Sequence, residues 1–223
     1  EMTSGGALEI RVFTAAGFGE NAYLVRRPGG GAAVAIDPGG EAQAMADALD
    51  AEGVRLEAVL LTHAHVDHIE GVAALVRRTG APIYMHPADR PWYDRAADQA
   101  VYFGLRFEAP PPIDHELSDG QTLELAGIRF EVRHAPGHSP GHVILYVADA
   151  GVAFVGDVVF QGSIGRSDLP GGDFQELMRS IRERVLTLPD DTKLYPGHGP
   201  ATTVGHERVS NPFLAGSLRS GFA

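Results

Sequence analysis

The sequence contains no cysteine among its 223 residues. Disulfide bonds, thiolate metal ligands and a cysteine nucleophile are therefore all excluded. Any metal ion that the protein binds must be held by histidine nitrogens and carboxylate oxygens, which are the remaining side-chain ligands for such ions.

Cationic side chains are scarce, because 18 Lys and Arg residues face 29 Asp and Glu residues and the formal net charge is −11. Nucleic acids are bound through clustered Lys and Arg, so this balance argues against nucleic acid as a partner. A negative protein retains cations more readily than it attracts anions.

Long apolar segments are missing as well. No apolar run approaches the roughly 18 residues that a membrane span needs, so we expect no membrane partner. The first residues lack the charged and apolar regions of a signal peptide, and a cytoplasmic location is the default expectation. The hydrophobic content of 44% is ordinary for a globular protein, and we expect one domain over residues 1–223.

Short apolar segments bounded by turn residues predict the fold. Strands are predicted at 8–13, 21–26, 32–36, 56–61, 82–85, 121–125, 128–134, 142–147 and 152–155. Helices are predicted at 41–49, 69–78 and 174–186, with an irregular helical segment at 87–102 and a helical turn or two after residue 202. Strands in two batches, each followed by helices, indicate an α/β protein with two packed sheets and helices outside.

Four metal-competent side chains lie within six residues: His63, His65, Asp67 and His68. A predicted buried strand precedes them and a predicted helix follows, so they lie on a loop of the kind that directs side chains toward a ligand. On an extended backbone His63 and His65 point the same way and can bind one metal ion. Asp67 and His68 follow where the chain turns into the helix, so this loop can serve two ions.

Three further residues lie on turns after, or at the end of, apolar strands: His138, Asp157 and His198. Each follows a glycine, which permits a tight turn and close approach of the backbone to a metal. Each residue alone is a weak signal, because a single histidine on a loop is usually a surface residue. In this order after the first cluster, the three together strongly indicate a metal site.

These residues resemble the metallo-β-lactamase superfamily, whose pattern is His-x-His-x-Asp-His followed by a His, an Asp and a final His. The match runs from about Asn21 to His198 and fills all seven positions. The resemblance implies a four-layer αβ/βα sandwich of two mixed sheets with helices outside, and a site in the cleft between the sheets. It assigns His63, His65 and His138 to one metal ion, Asp67, His68 and His198 to a second, and Asp157 to a bridging position.

Asp37 follows the third predicted strand, in the segment Asp37-Pro38-Gly39-Gly40. Such a segment is typical of a turn, whereas the resemblance implies an acceptor that orients a metal ligand. Tyr195 is expected either to line the pocket or to pack. The remaining histidines are predicted to have structural roles: His86, His115, His134, His142 and His206.

Within the superfamily, residues 162–173 (GSIGRSDLPGGD) resemble the short bacterial hydroxyacylglutathione hydrolases of the glyoxalase II type. Larger enzymes of this type have a C-terminal helical domain whose basic residues hold glutathione, whereas only 25 residues follow His198 here. The resemblance implies that Arg166 binds the backbone or carboxylate of the carrier thiol, a task that suits the paired donors of a guanidinium.

The resemblance implies hydrolysis of small S-acyl thioesters such as hydroxyacylglutathione, with two transition-metal ions, zinc first and iron or manganese as alternatives. Two ions about 3.5–4 Å apart can share a water and lower its pKa to roughly 7, which provides a hydroxide nucleophile. Asp67 is the candidate catalytic residue, because it can accept a hydrogen bond from that nucleophile. Two alternatives stay open: a persulfide dioxygenase with one iron held by two histidines and Asp157, and a non-enzymatic metal-bearing binding module.

Overall fold

The computed structural model describes residues 7–215. Its first sheet has six strands whose spatial order follows the chain. They are β1 (Glu9–Thr14), β2 (Asn21–Arg26), β3 (Ala32–Ile36), β4 (Arg55–Leu60), β5 (Ile83–Met85) and β6 (His115–Glu116). The first three strands are antiparallel neighbours, whereas β3 to β6 pair in parallel, so the sheet is mixed.

The second half of the chain forms another mixed sheet and a short hairpin. The strands are β7 (Thr122–Leu125), β8 (Ile128–His134), β9 (Val143–Val147), β10 (Val152–Gly156), β11 (Val159–Phe160), β12 (Ser163–Ile164), β13 (Lys193–Pro196) and β14 (Thr202–Thr203). The sheet has the order β14-β13-β10-β9-β8-β7, with β10 and β13 parallel, and β11 pairs with β12 outside it.

Helices flank both sheets. They are α1 (Ala42–Glu52), α2 (Val66–Ile69), α3 (Val72–Thr79), α4 (Arg90–Asp94), α5 (Ala96–Tyr102), α6 (Phe174–Ser180), α7 (Val204–Ser210) and α8 (Pro212–Ala215). Short 3₁₀ turns occur at Pro87–Asp89 and Ala148–Ala150, and a π-helical turn at Ile181–Val185 continues α6. Within residues 7–215, none of these helices combines the length and the apolar character needed to cross a membrane.

The core has three parts, which correspond to the layers of the fold. Side chains such as Ile36, Leu60 and Phe130 fill the space between the two sheets. Residues of α1 and α3 cover the outer face of the first sheet, and residues of α6 and its π-helical turn cover the outer face of the second. The predicted four-layer αβ/βα sandwich is therefore confirmed.

The helix predicted at 69–78 is wrong in its extent, because the chain forms α2 and α3 with a break between them. Gly71 directly precedes α3, and its N–H donates to the carbonyl of Pro38 at 3.0 Å. A side chain at this position would meet the carbonyl of Gly39 at 2.2 Å. This close backbone contact, which brings distant turns together, breaks the helix. The irregular segment at 87–102 resolves into a 3₁₀ turn, α4 and α5.

Local sequence patterns also missed the three shortest pairings, which involve β6, the β11–β12 hairpin and β14. Each of these strands has two residues, which is too short for an alternating pattern. The predicted helical turns after residue 202 correspond to α7 and α8. The part of that prediction, and of the expected domain, that falls on residues 1–6 and 216–223 lies outside the described residues.

Candidate metal centre

The structure brings all seven predicted ligand side chains to one edge of the two sheets. His63 and His65 lie on the loop after β4, and Asp67 and His68 lie in α2. The other three come from the second sheet: His138 follows β8, Asp157 follows β10 and His198 follows β13. Because each position follows a strand, the two packed sheets deliver the side chains to a common point.

His63, His65 and His138 form the first group. Each offers one ring nitrogen, and these three atoms lie within 4.8 Å of one another. His65 Nδ1 and His138 Nε2 are 2.9 Å apart. His63 Nε2 is buried and has no hydrogen-bond partner among residues 7–215. Burial lowers the pKa of His63 well below its usual value and lowers that of His65 to about 3, so both rings are neutral and have a free lone pair.

Asp67, His68, Asp157 and His198 form the second group, again with one atom from each residue within 4.8 Å of the others. His198 contacts both carboxylates, with Nε2 3.1 Å from Asp67 Oδ2 and Nδ1 3.0 Å from Asp157 Oδ1. Burial lowers the pKa of His198, but the hydrogen bonds to Asp157 and Asp67 outweigh it and raise that pKa to about 9. His198 must therefore lose a proton before its ring can act as a metal ligand.

Asp157 lies between the two groups. Its Oδ2 is 3.2 Å from His68 Nε2 in the second group, and 3.4 Å from His138 Nε2 in the first. Burial raises the pKa of this carboxyl, but nearby His68 and the hydrogen bonds from His138, His198 and His68 hold it well below its usual value. An ionised carboxylate thus faces both groups, which is the position of a bridging ligand.

The donor set fits divalent transition metals. Imidazole nitrogens and carboxylate oxygens are ligands of zinc, iron and manganese, and metal binding requires neutral histidines and ionised carboxylates. The unpartnered nitrogen of His63 is a buried polar atom that needs such a partner, because leaving it unsatisfied is costly. Gly197 keeps the approach open, since a Cβ there would lie 2.3 Å from Asp157 Oδ1.

Asp37 contacts the centre from the second layer of side chains. Its Oδ2 lies 2.9 Å from His68 Nδ1 and accepts a hydrogen bond from Thr62 Oγ1 at 2.5 Å, while Oδ1 accepts from Thr62 N at 2.7 Å. The residue has a φ of 50°, a region that few non-glycine residues adopt. The two readings of Asp37 are therefore compatible, because the turn directs the carboxylate at a ring that needs orienting.

Asp89 is a site residue that the sequence did not reveal. Its carboxylate is fully buried and accepts hydrogen bonds from Ala64 N at 2.9 Å, Gly141 N at 2.6 Å and Ser139 Oγ at 3.0 Å. It thereby ties the first histidine loop to the loop that carries His138. Residues 87–102 gave only an irregular helical signal, so nothing local distinguishes this Asp from a surface one.

Glu20 is a second missed residue. It is fully buried beneath the centre, with Oε1 3.7 Å from His68 Nδ1. Neither of its carboxylate oxygens has a hydrogen-bond partner within the described part of the chain. Burial, reinforced by nearby Asp37, Asp67 and Asp157, raises the pKa of Glu20 well above its usual value despite the opposing effect of His68. Burial therefore favours the neutral form of this carboxyl.

The other histidines lie outside the two groups, as predicted, but His142 has a closer role than expected. It is fully buried, its ring stacks on His63 at 4.6 Å, and its Nε2 accepts a hydrogen bond from Asp157 N at 3.1 Å. His86 and His134 stack on each other, His115 packs on Tyr84, and His206 is half-exposed. Tyr195 packs against Tyr23 and Phe154, which settles its alternatives in favour of packing.

A cleft of about 190 Å³ opens over the centre. Phe18, Phe103 and Leu169 form its apolar wall, and His65, Asp67, His138, Asp157 and His198 form its floor. Arg166 is the one arginine or lysine among the described residues that line this cleft. Its guanidinium donates to both oxygens of Asp168, at 2.7 and 2.9 Å, and its carbonyl lies 2.7 Å from His138 Nδ1. A substrate carboxylate would therefore compete with Asp168 for the Arg166 side chain.

The comparison with known proteins agrees with this geometry. The family model of the metallo-beta-lactamase superfamily matches residues 15–198, most of the chain and all seven side chains. The chain belongs to the metallo-β-lactamase superfamily. This is a metallo-hydrolase family whose members bind divalent metals, so the coarser expectations of a metal-binding enzyme are confirmed.

Several proteins of this superfamily are similar over nearly their whole length. "Hydroxyacylglutathione hydrolase GloC" of Haemophilus influenzae is 39% identical over 93% of this chain and 98% of its own. The crystal structure of "BLEG-1 B3 metallo-beta-lactamase" has a TM-score of 0.87 at 40% identity, covering 92% of this chain and 99% of its own. "TTHA1623 in a di-iron-bound form" has a TM-score of 0.84 at 44% identity, covering 92% and 100%.

Proposed function

We propose that this protein is a dinuclear metal-dependent hydrolase of S-acyl thioesters, of the hydroxyacylglutathione hydrolase type. The observation that carries the proposal is the pair of complete ligand groups on either side of Asp157. The glyoxalase-like segment at 162–173 and the name of the Haemophilus influenzae relative support the thioester as the substrate class.

His63, His65 and His138 would hold the first ion, and Asp67, His68 and His198 the second, with Asp157 shared. Zinc is our first expectation, and iron is supported by the similar structure that was solved with two irons. Two such ions supply an activated water and polarise the thioester carbonyl. The remaining steps depend on the protein's own side chains.

We assign to Asp67 the role of orienting the nucleophile. Its side chain is mostly buried at the floor of the cleft, and Oδ2 contacts His198 Nε2 at 3.1 Å. His68 and the hydrogen bond from His198 lower the pKa of this carboxyl, although burial opposes them, so it stays an acceptor at neutral pH. An ionised acceptor at this position can take a hydrogen bond from an attacking water and hold it in line with the carbonyl. The thiolate product needs little protonation, so the cleft requires no separate acid.

Both alternatives that the sequence left open, the dioxygenase and the binding module, fit the site less well. A dioxygenase that uses one iron has no need of Asp67, His68 and His198 as a second complete group. A binding module has no need of the buried network around Asp37 and Asp89, which holds the rings in fixed orientations. The hydrolase is therefore the reading that uses every side chain in the cluster.

The test measures three reactions with one metal-loaded preparation. We expect S-lactoylglutathione and simple S-acyl thioesters to release free thiol without consuming oxygen. The variant Asp157→Asn removes the carboxylate that both ligand groups share. Asp191→Asn is its matched control, because Asp191 is exposed and lies near the start of β10, whereas Asp157 follows the end of that strand. Rapid oxygen uptake with a glutathione persulfide, or ring opening of a β-lactam, while thioesters stay intact would contradict the proposal.

A further inference from the structure

A wide aromatic groove extends from the cleft and has no part in the chemistry described so far. We define this aromatic groove by Trp92, Tyr102, Phe103, Leu169 and Pro170. It has a volume of about 610 Å³. His65 lies at its inner end and also lines the floor of the cleft, so a molecule in the groove reaches the metal centre directly.

The exposure of the groove's aromatic side chains is unusual. Tyr102 is 82% exposed and Phe103 is 41% exposed, next to each other at the end of α5. Their rings meet edge to face with centroids 5.1 Å apart, and Phe103 makes a similar contact with Phe18 across the cleft at 5.5 Å. Contiguous exposed apolar surface of this kind marks a binding site, because it costs free energy in water when nothing covers it.

The charges of the groove oppose an anionic ligand. Asp98 and Asp168 line it, and Arg166 is its one cation among the residues described. The Arg166 guanidinium already donates to both oxygens of Asp168, so the Asp168 carboxylate compensates its charge. Glutathione carries two carboxylates. The acidic side chains of the groove would repel them, and its aromatic walls would desolvate them at a cost in free energy.

We infer that the aromatic groove binds the acyl group of the substrate and that this group is large, apolar and uncharged, such as an aryl-acetyl or medium-length aliphatic chain. The inference rests on the proposed thioester hydrolysis and adds the acyl class to it. A short hydroxyacyl group would leave most of the groove filled with water and would not use its aromatic walls.

The first test reads binding without catalysis. Trp92 is the single tryptophan of the chain and lines the groove, so its fluorescence reports the groove directly. The probes are two uncharged thioethers of N-acetylcysteamine, one with a 2-phenylethyl group and one with a methyl group. We expect a saturable fluorescence change with a Kd at least about tenfold lower for the phenylethyl probe, as burial of apolar area requires.

Two variants of neighbouring residues in α5 provide the control. Tyr102→Ser removes one wall of the groove. We expect it to raise the Kd of the phenylethyl probe by about three- to tenfold, as loss of an aromatic contact does. Val101→Ser changes an adjacent apolar residue that is 79% exposed and lies outside the groove lining among the described residues, and it should leave the affinity unchanged. Equal weakening in both variants, or in neither, would overturn the inference.

The second test separates this inference from the proposed function. The substrates are the phenylacetyl and lactoyl thioesters of N-acetylcysteamine. We expect the parent protein to have a higher kcat/KM for the phenylacetyl thioester. Tyr102→Ser should lower this kcat/KM more than it lowers the kcat/KM for the lactoyl thioester. Hydrolysis of both at equal rates would keep the thioesterase and overturn the groove. Phenylethyl binding with no hydrolysis of either would support the groove and contradict the thioesterase. A dimer that Tyr102→Ser splits without changing probe affinity would show that a second copy covers the groove, which also overturns the inference.

Discussion

Replacing Asp89 with alanine should loosen the metal centre without changing any of its seven candidate ligands. Asp89 is fully buried and accepts hydrogen bonds from Ala64 N, Gly141 N and Ser139 Oγ. Ala64 separates the first two histidines of the centre, and Ser139 follows His138. The carboxylate therefore fixes the spacing of two loops that must present their rings to the same ion.

The structure gives a magnitude for this change. In the alanine variant the N–H groups of Ala64 and Gly141 stay buried and lose their acceptor, and these two donors alone set the estimate. At about 1–3 kcal/mol for each orphaned donor, the free energy of unfolding should fall by about 2–6 kcal/mol. A central value of about 4 kcal/mol corresponds, for a chain of this size, to a drop in Tm of about 8–16 °C.

The assay is thermal unfolding of the metal-free protein together with metal titration of the folded protein. Asp89→Asn keeps one acceptor oxygen and should lie between the parent and Asp89→Ala. Asp191→Ala changes an exposed carboxylate and should stay within about 0.5 kcal/mol of the parent. We expect Asp89→Ala to bind metal about 10- to 100-fold more weakly. If Asp89→Ala unfolded like Asp191→Ala and kept its metal affinity, the bracing role would be refuted.

Asp157→Asn should lower kcat/KM by about 100-fold or more, because one carboxylate serves both ligand groups, and near-parental turnover at full metal content would refute its bridging role. Arg166→Ala should cost less than about threefold with charged and uncharged thioesters alike, because its side chain is already paired with Asp168 at the surface. A loss of tenfold or more confined to glutathione thioesters would instead establish Arg166 as the carrier anchor that the sequence predicts. Glu20→Gln should lower the Tm of the metal-free protein less than Glu20→Ala does, because burial favours the neutral carboxyl that glutamine resembles, whereas alanine leaves a cavity. Equal losses in the two variants would contradict this. With the metal removed by a chelator, the Tm should fall between pH 7 and pH 9. The folded protein raises the pKa of His198 to about 9, so protonation of His198 stabilises the fold fully below its ordinary pKa of about 6.5, and this stability is lost as the pH rises through about 9. A Tm that rises over this range would contradict the argument.

The local pattern of apolar and turn residues in the sequence was sufficient to predict much of the fold. The strands at 21–26, 32–36 and 128–134 have the predicted bounds, because turns end them sharply. Their apolar side chains form a continuous run in the first two strands and alternate with polar ones in the third. The first four candidate ligands could be chosen because they lie within six residues just after an apolar strand, and the superfamily resemblance added His138, Asp157 and His198. Packing of the two sheets brings the ends of these strands together, so the seven side chains meet at one site.

Other features depend on contacts that no local pattern contains. Gly71 breaks a helix because a turn more than thirty residues earlier packs against its backbone. Asp89 and Glu20 look like surface carboxylates until the fold buries them against the histidine loops. His142 was predicted to be structural, and only the structure shows that its ring supports Asp157. Burial and long-range hydrogen bonding, rather than residue type, give these side chains their roles.

Elemental analysis of the reconstituted protein tests the central claim most directly, because the two ligand groups of the site call for two metal ions. Purified protein is loaded separately with zinc, iron or manganese, freed of unbound metal, and compared with Asp157→Asn and Asp191→Asn. We expect about two ions per chain in the parent and in Asp191→Asn, and about one or fewer in Asp157→Asn. A parent protein that never holds more than one ion per chain with any of these metals would contradict the dinuclear centre.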